Sequence, residues 1–297
     1  MKKIITGVLG SYLNALHVIA PQISGAHGFR LFCYPFRPAL KRHQRIFLES
    51  ARHDRLIVQG EEIQTYRWGT GKKNVLLMHG WQSHSFRWKA LVEAFPLDQY
   101  TLYAVDAPGH GLSSGNFLTV PLYSAVVERL IDQLREINTI IAHSLGAFTA
   151  LYTMSRLPYL PVGKLALLAS PGQATEFINF YQNTLGLNPK TVSAVKNHFE
   201  RVIGETLEYF SAPAFASAIR QTGLLIHDEE DKETPHTHSI LIHQAWERSE
   251  LVITRGLGHN LKSREIIERV IQFVGEAAGQ GNHDSKEGIT KPNRSTN

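Results

Sequence analysis

The sequence predicts an α/β protein: a mainly parallel central sheet flanked on both faces by helices, with a small helical cap. Three observations carry that prediction. From about residue 63 onward, short continuous apolar runs alternate with longer segments whose apolar residues recur every three or four positions. Most of the apolar runs end in glycine-bearing or polar turns. Those ends hold His79, Asp106, His110, Ser144, Asp231 and His259, and doubly covered sheets carry their chemistry beyond the carboxyl ends of their strands.

Taken in order, "IQTYRWG" alternates and stops at Gly69, as a strand does. "NVLLMHG" and "YTLYAVDAPGHG" each run an apolar strand into a glycine turn. "TVPLYSAVVERLIDQLREI" places Val127, Leu130, Ile131 and Leu134 on one helical face. The strand "NTIIAHS", the helix "LGAFTALYTMSRL" and the strand "GKLALLAS" follow. Between about 172 and 221 the strand rhythm stops. Two or three helices separated by Asn188-Pro189, Gly204 and Pro213 read as a cap inserted between strands. "GLLIHDEED", "SELVITRGLGH" and a closing helix with Ser263 as its N-cap complete the series.

The division read from this pattern is an N-terminal helical extension over 1–55, the α/β domain over 56–275 and a disordered tail over 276–297. The tail is polar and glycine-rich with no apolar period. In the extension, "PALKRHQRIFLESA" is amphipathic and helical. The opening "MKKIITGVLGSYLNALHVIAPQISGA" has the outline of a secretory leader, but Ser11, Asn14 and His17 interrupt it, and a structural helix is expected.

With 297 residues the chain can bury a sizeable core as one large domain. Hydrophobic residues at 43% and charged residues at 19% fit a globular protein. A single cysteine, Cys33, excludes an intramolecular disulfide framework, and a cytoplasmic location is expected. No run is long enough to read as a membrane-spanning helix. The net charge of +5 is uneven: residues 1–60 hold nine Lys or Arg against Glu49 and Asp54. A solvated basic face is the preferred reading, with peripheral membrane contact through this extension as the alternative. No zinc-finger spacing or aromatic-basic interleaving supports nucleic-acid binding.

The stretch "TIIAHSLGAFTAL" places Ser144 between a buried strand and a helix. A serine hydroxyl becomes a useful nucleophile only when a base takes its proton and a third group holds that base. Small residues at Ala142 and Gly146 allow the tight strand-to-helix turn that exposes such a serine. An imidazole is available at His259, after Gly256 and Gly258. Carboxylates crowd positions 228 to 231, where like charges raise one another's pKa, so one is expected to turn inward and the rest to stay wet.

This turn resembles the nucleophile elbow of the α/β-hydrolase family, whose G-x-S-x-G pattern appears here as Ala142-His143-Ser144-Leu145-Gly146, with alanine replacing the first glycine. The order of the remaining segments widens the resemblance, over roughly Gln64 to Val274. It implies an α/β-hydrolase fold and a serine hydrolase of the carboxylesterase type, with Ser144 as nucleophile, His259 as general base and acid, and Asp231 orienting the ring. Asp228 stays open as the alternative acid. "HGWQSHSFRW" is similar to the family's oxyanion loop, which implies the N–H groups of Trp81 and Leu145 as donors. His79, Gly80, Asp106, His110, His143 and Gly146 take supporting places. Asp106, His79 and His110 have structural roles by this reading, so neither a metal nor a cofactor is expected. His236 and His238 are expected at the surface. The substrate class implied is a small-molecule ester, and cap aromatics such as Phe177, Tyr181 and Phe215 suit an apolar acyl or alcohol group or serve only as packing. A thioesterase or amidase with the same triad, and a non-catalytic binding protein of this fold, are the alternatives.

Overall fold

A computed structural model describes residues 2–276. The tail expected over 276–297 lies, apart from Glu276, outside the described residues. The chain opens with α1 (Lys2–Ile19), α2 (Pro21–Phe32) and α3 (Arg42–Glu49), then enters the sheet through β1 (Arg52–Val58), β2 (Glu61–Trp68) and β3 (Lys73–Met78). Next come α4 (Lys89–Ala94), β4 (Tyr100–Val105), α5 (Val120–Leu134), β5 (Ile137–His143), α6 (Leu145–Arg156) and β6 (Val162–Leu168). Three helices follow before the next strand: α7 (Ala174–Leu185), α8 (Pro189–Ile203) and α9 (Ala212–Ala216). The last elements are β7 (Thr222–Asp228), α10 (Thr237–Ala245), β8 (Ser249–Thr254) and α11 (Arg264–Gly275).

The eight strands form one sheet in the order β1-β2-β4-β3-β5-β6-β7-β8. Only the β1–β2 and β2–β4 pairings are antiparallel. The six strands from β4 to β8 are parallel, and the inner runs of all but the edge strand β8 are buried on both faces, which is why they read as unbroken apolar stretches. Two apolar clusters fill the two sides of the sheet. One includes Leu76, Ile140 and Phe148, and the other Leu77, Ile141 and Phe273. Neighbouring strand residues thus fall in opposite layers, as a period of two requires.

Strand β1 departs from the sequence reading, in which residue 55 closes a helical extension. Its first half is Arg52-His53-Asp54-Arg55, and only Leu56 and Val58 are buried. An edge strand with one partner needs little apolar surface, so no apolar run marks it. Helices α4 and α10 are likewise absent from the sequence reading, being short and weakly periodic.

Helices α1 and α2 pack with α7 and α8 of the cap into one helical layer, while α3 sits on the other side of the sheet. A Cβ at Gly10 would lie 1.7 Å from the Leu185 carbonyl oxygen, and one at Gly25 2.4 Å from that of Ala194, so these contacts require glycine. Asn14 donates to the Gly186 carbonyl at 2.9 Å and accepts from the Asn188 N–H at 3.0 Å, while the Tyr181 hydroxyl donates to the Gly28 carbonyl. Phe199, Phe210 and Phe215 are buried, and Phe215 rests edge-on against Phe148 and Tyr152 of α6. Packing thus uses most of the cap aromatics. Phe180 is exposed and Phe177 half-buried.

Candidate active site

Ser144 sits between β5 and α6 with φ 52° and ψ −123°. A non-glycine residue holds such angles at about 1–3 kcal/mol, and only because the surroundings fix it. Those surroundings are close. A Cβ at Gly146 would lie 2.6 Å from the carbonyl oxygens of both Met78 and His79, and one at Gly80 would lie 2.8 Å from the Ser144 Cβ. The Ser144 N–H donates to the Leu168 carbonyl at 2.9 Å, tying the turn to the next strand.

His259 reaches this turn from the loop after β8. The Ser144 hydroxyl donates to His259 Nε2 at 3.1 Å, and His259 Nδ1–H donates to Asp231 Oδ2 at 2.8 Å. Asp231 Oδ1 accepts from the N–H groups of Glu233 (2.8 Å) and Thr234 (3.0 Å), and Oδ2 also accepts from the Thr234 hydroxyl at 3.0 Å. Burial pushes the Asp231 carboxyl up. The hydrogen bonds from His227, His259, Thr234 and Glu233 outweigh it and hold the group far below the usual carboxylate range. Asp231 is therefore a fixed negative charge behind the imidazole.

Asp228 faces elsewhere. Its Oδ2 accepts from the Thr254 hydroxyl at 2.8 Å and the Leu257 N–H at 3.0 Å, and its Oδ1 from the Glu230 N–H. It pins the loop that carries His259 without touching the ring. The acidic run thus turns two carboxylates inward where the sequence reading expects one. Each finds its own set of donors, whereas Glu229 and Glu230 stay exposed beside Arg255.

His143, one residue before the serine, is buried, and its Nε2–H donates to the His259 carbonyl at 2.8 Å. The two rings meet edge to face at 4.8 Å. Burial, then the Arg87 charge, lowers the His143 pKa well below the ordinary histidine value, so it stays neutral.

The supporting loops are joined by histidines and one aspartate. His79 Nδ1–H donates to the Gly80 carbonyl at 2.7 Å, and its Nε2 accepts from the Ala107 N–H at 3.0 Å. His110 Nδ1–H donates to the Pro108 carbonyl, and its Nε2 accepts from the Gln82 N–H at 3.0 Å. Burial lowers both pKa values to about 3. Asp106 is fully buried and accepts from the Tyr66 hydroxyl, the Ser85 N–H and hydroxyl, and the Leu112 N–H. Each polar atom of this group is thus committed to a protein partner. Trp81 follows Gly80, which itself approaches Ser144 closely. Leu145 opens α6, so its N–H is among those without an intrahelical acceptor.

Three residues that sequence reasoning passed over complete the site. His227, on β7, donates from Nε2 to Asp231 Oδ2 at 3.1 Å and to the Thr234 carbonyl at 2.9 Å, while its Nδ1 accepts from the Ser239 hydroxyl at 2.7 Å. Arg87 donates to the Asn260 side-chain and main-chain oxygens at 3.2 and 2.8 Å, gripping the residue after His259. Thr234 joins Asp231 by backbone and hydroxyl. A histidine four residues before the acid, inside an apolar strand, is the one local signal that marks His227. Arg87 and Asn260 are far apart in sequence and give none. His238, expected at the surface, is buried: its ring lies over Gly172 and its Nε2 is 2.8 Å from Glu176 Oε1 of the cap. The cap covers it, a contact that sequence spacing cannot reveal.

Comparison with known proteins agrees with this architecture. A model of the alpha/beta hydrolase family matches residues 75–263. The chain is 38% identical over 109 residues to a serine hydrolase-like protein of Danio rerio, a match covering 33% of each chain. It is 29% identical over 103 residues to a pimeloyl-[acyl-carrier protein] methyl ester esterase of Edwardsiella ictaluri, covering 35% of this chain and 39% of the other. The chain therefore spans less than half the length of these curated relatives. An esterase from Rhodococcus sp. ECU1013 superposes with a TM-score of 0.58 at 16% identity, over 75% of this chain and 98% of that one, a likeness of fold. The matched residues run from β3 through the Ser144 turn to the loop bearing His259: the chain belongs to the α/β hydrolase family.

Proposed function

We propose that the protein is a serine hydrolase that cleaves carboxylic esters through an acyl-enzyme on Ser144. The observation that carries this reading is the continuous relay from the Ser144 hydroxyl to His259 at 3.1 Å and from His259 to Asp231 at 2.8 Å. As Oγ attacks the ester carbonyl carbon, its proton passes to His259 Nε2, and the Asp231 charge stabilises the imidazolium that forms. The Trp81 and Leu145 N–H groups receive the charge developing on the carbonyl oxygen. His259 returns the proton to the departing alcohol. Water then attacks the acyl-enzyme by the same route and releases the acid.

Two matched relatives carry serine hydrolase and methyl ester esterase in their names, which favours esters over thioesters and amides. Trp81 and Leu145, which follow Gly80 and Ser144, and Phe177, whose ring meets Phe148 of α6 edge-on, are half-buried apolar residues that suit an apolar acyl or alcohol group. A cytoplasmic setting accords with one buried cysteine, Cys33, and no helix among the described residues is long and apolar enough to cross a membrane.

A serine-directed fluorophosphonate is expected to label the protein once, and Ser144→Ala to abolish labelling and turnover of short-chain aryl esters together. Undiminished hydrolysis by Ser144→Ala would reject the mechanism. A panel of esters, thioesters and amides of graded acyl length then ranks the substrate classes.

A further inference from the structure

Helix α1 presents an apolar face to solvent from Ile4 to Ile19. At 100° per residue, Ile4, Ile5, Val8, Tyr12, Val18 and Ile19 fall within an arc of about 140°. All six are exposed, by 48% to 85%. The other positions in that arc are Ser11 and Ala15, so no charge interrupts it. The arrangement is imposed by packing. Gly10 and Leu13 on the opposite side are buried, and Gly10 and Asn14 hold the helix against the cap at Leu185, Gly186 and Asn188. The helix is thus anchored by one face while a stripe about 23 Å long, at 1.5 Å per residue, points outward. Exposed apolar surface of this extent marks an interaction site.

Charge identifies the occupant. Residues 1–48 contain seven Lys or Arg and no Asp or Glu. Of these, Lys2 and Lys3 belong to α1, and Arg30 is exposed on α2 one turn from His27, whose ring stacks on Tyr12 of the stripe. A second copy of the chain would set Lys2, Lys3 and Arg30 of α1 and α2 against an equal set of cations. An anionic bilayer offers opposite charge together with an apolar layer a few ångströms below it. The opposite face of α1 is committed to the cap, so the helix can lie in the interface plane but cannot cross. We infer that α1 docks the protein on anionic membranes, seating Ile4, Ile5, Val8, Tyr12, Val18 and Ile19 among the lipid headgroups and acyl chains. The inference stands apart from the hydrolase reading, since it concerns binding alone. Where both hold, the cap is brought to the bilayer surface.

The test is co-sedimentation of the full chain with phosphatidylcholine vesicles, with and without phosphatidylglycerol, at low and high salt. Wild type is expected to pellet with the anionic vesicles at low salt and to be released at high salt. The double substitution Ile5→Glu and Val8→Glu should lower the partition coefficient by about tenfold or more, because two buried apolar contacts become charges facing anionic lipid. Circular dichroism and an unchanged melting temperature show that the variant is folded. Absence of wild-type binding to anionic vesicles at low salt overturns the inference. So does a variant that binds as well as wild type, or a dimer in solution that the substitutions dissolve while no vesicle binding is seen; the last outcome assigns the face to a second copy.

Discussion

Asp231 and His227 share a hydrogen bond of 3.1 Å on the same carboxylate oxygen that accepts from His259 at 2.8 Å. One oxygen is held between two imidazoles, and His227 is in turn fixed by Ser239 and Thr234. Removing the His227 ring leaves Asp231, the Thr234 carbonyl and the Ser239 hydroxyl short of a partner in a buried place. His227→Ala is expected to destabilise the fold by about 1–3 kcal/mol, read by urea denaturation. Activity should fall more than stability explains, because Asp231 is free to turn. His227→Gln, which keeps a donor, should recover part of kcat; equal losses in both variants would show that the donor does not position Asp231.

The backbone of Ser144 makes a separate prediction. Its φ of 52° with ψ of −123° is strained for any side chain but free for glycine. Ser144→Gly is expected to raise stability by about 1 kcal/mol while removing activity. Ser144→Ala should be equally inactive without that gain. A melting temperature of Ser144→Gly no higher than that of Ser144→Ala would refute the strain.

Arg87 is expected to act on rate through the loop it holds. Without its two hydrogen bonds to Asn260 the neighbouring His259 loses a fixed approach to Ser144. Arg87→Ala should lower kcat by about tenfold to a hundredfold with little change in KM, since a displacement near 1 Å is enough for such a loss. Steady-state kinetics on an aryl ester checks this, and a change confined to KM would contradict it.

Stability should depend on pH through the buried histidines. His79 and His110 have folded values lowered to about 3, against about 6.5 in the unfolded chain. Between those limits the unfolded state binds more protons, so the stabilisation is complete above pH 6.5 and is lost as pH falls towards 3. Each histidine contributes a slope of up to about 1.4 kcal/mol per pH unit in that window. Asp231 and Asp228, lowered in the fold, add a further loss below the unfolded carboxylate value of about 4. Urea midpoints measured from pH 8 to pH 4 should therefore decline steadily from about pH 6.5, and a flat profile would contradict the burial argument.

Much of this arrangement is legible in the sequence. Apolar runs such as "NVLLM" and "LALL" are local in the chain, and so is the Ala142–Gly146 turn. A parallel strand buried on both faces leaves an unbroken apolar signature, and a tight turn demands small residues at fixed offsets. Chain order alone then sets Ser144, the acidic run and His259 at the same edge of the sheet. The polar edge strand β1 left no such signature, because a strand with one partner need not be apolar.

The sequence by itself determined the type of sheet, the place of Ser144 at a tight strand-to-helix turn and the basic character of the first 48 residues. Only the tertiary structure decided that Asp231 and not Asp228 meets His259, that His227 and Arg87 stand behind that pair, and that α1 turns its apolar stripe outward. The physical reason is common to all three. Periodicity and turn chemistry are properties of neighbours along the chain, whereas a hydrogen-bond partner or an uncovered face depends on which distant segments fill the space around it.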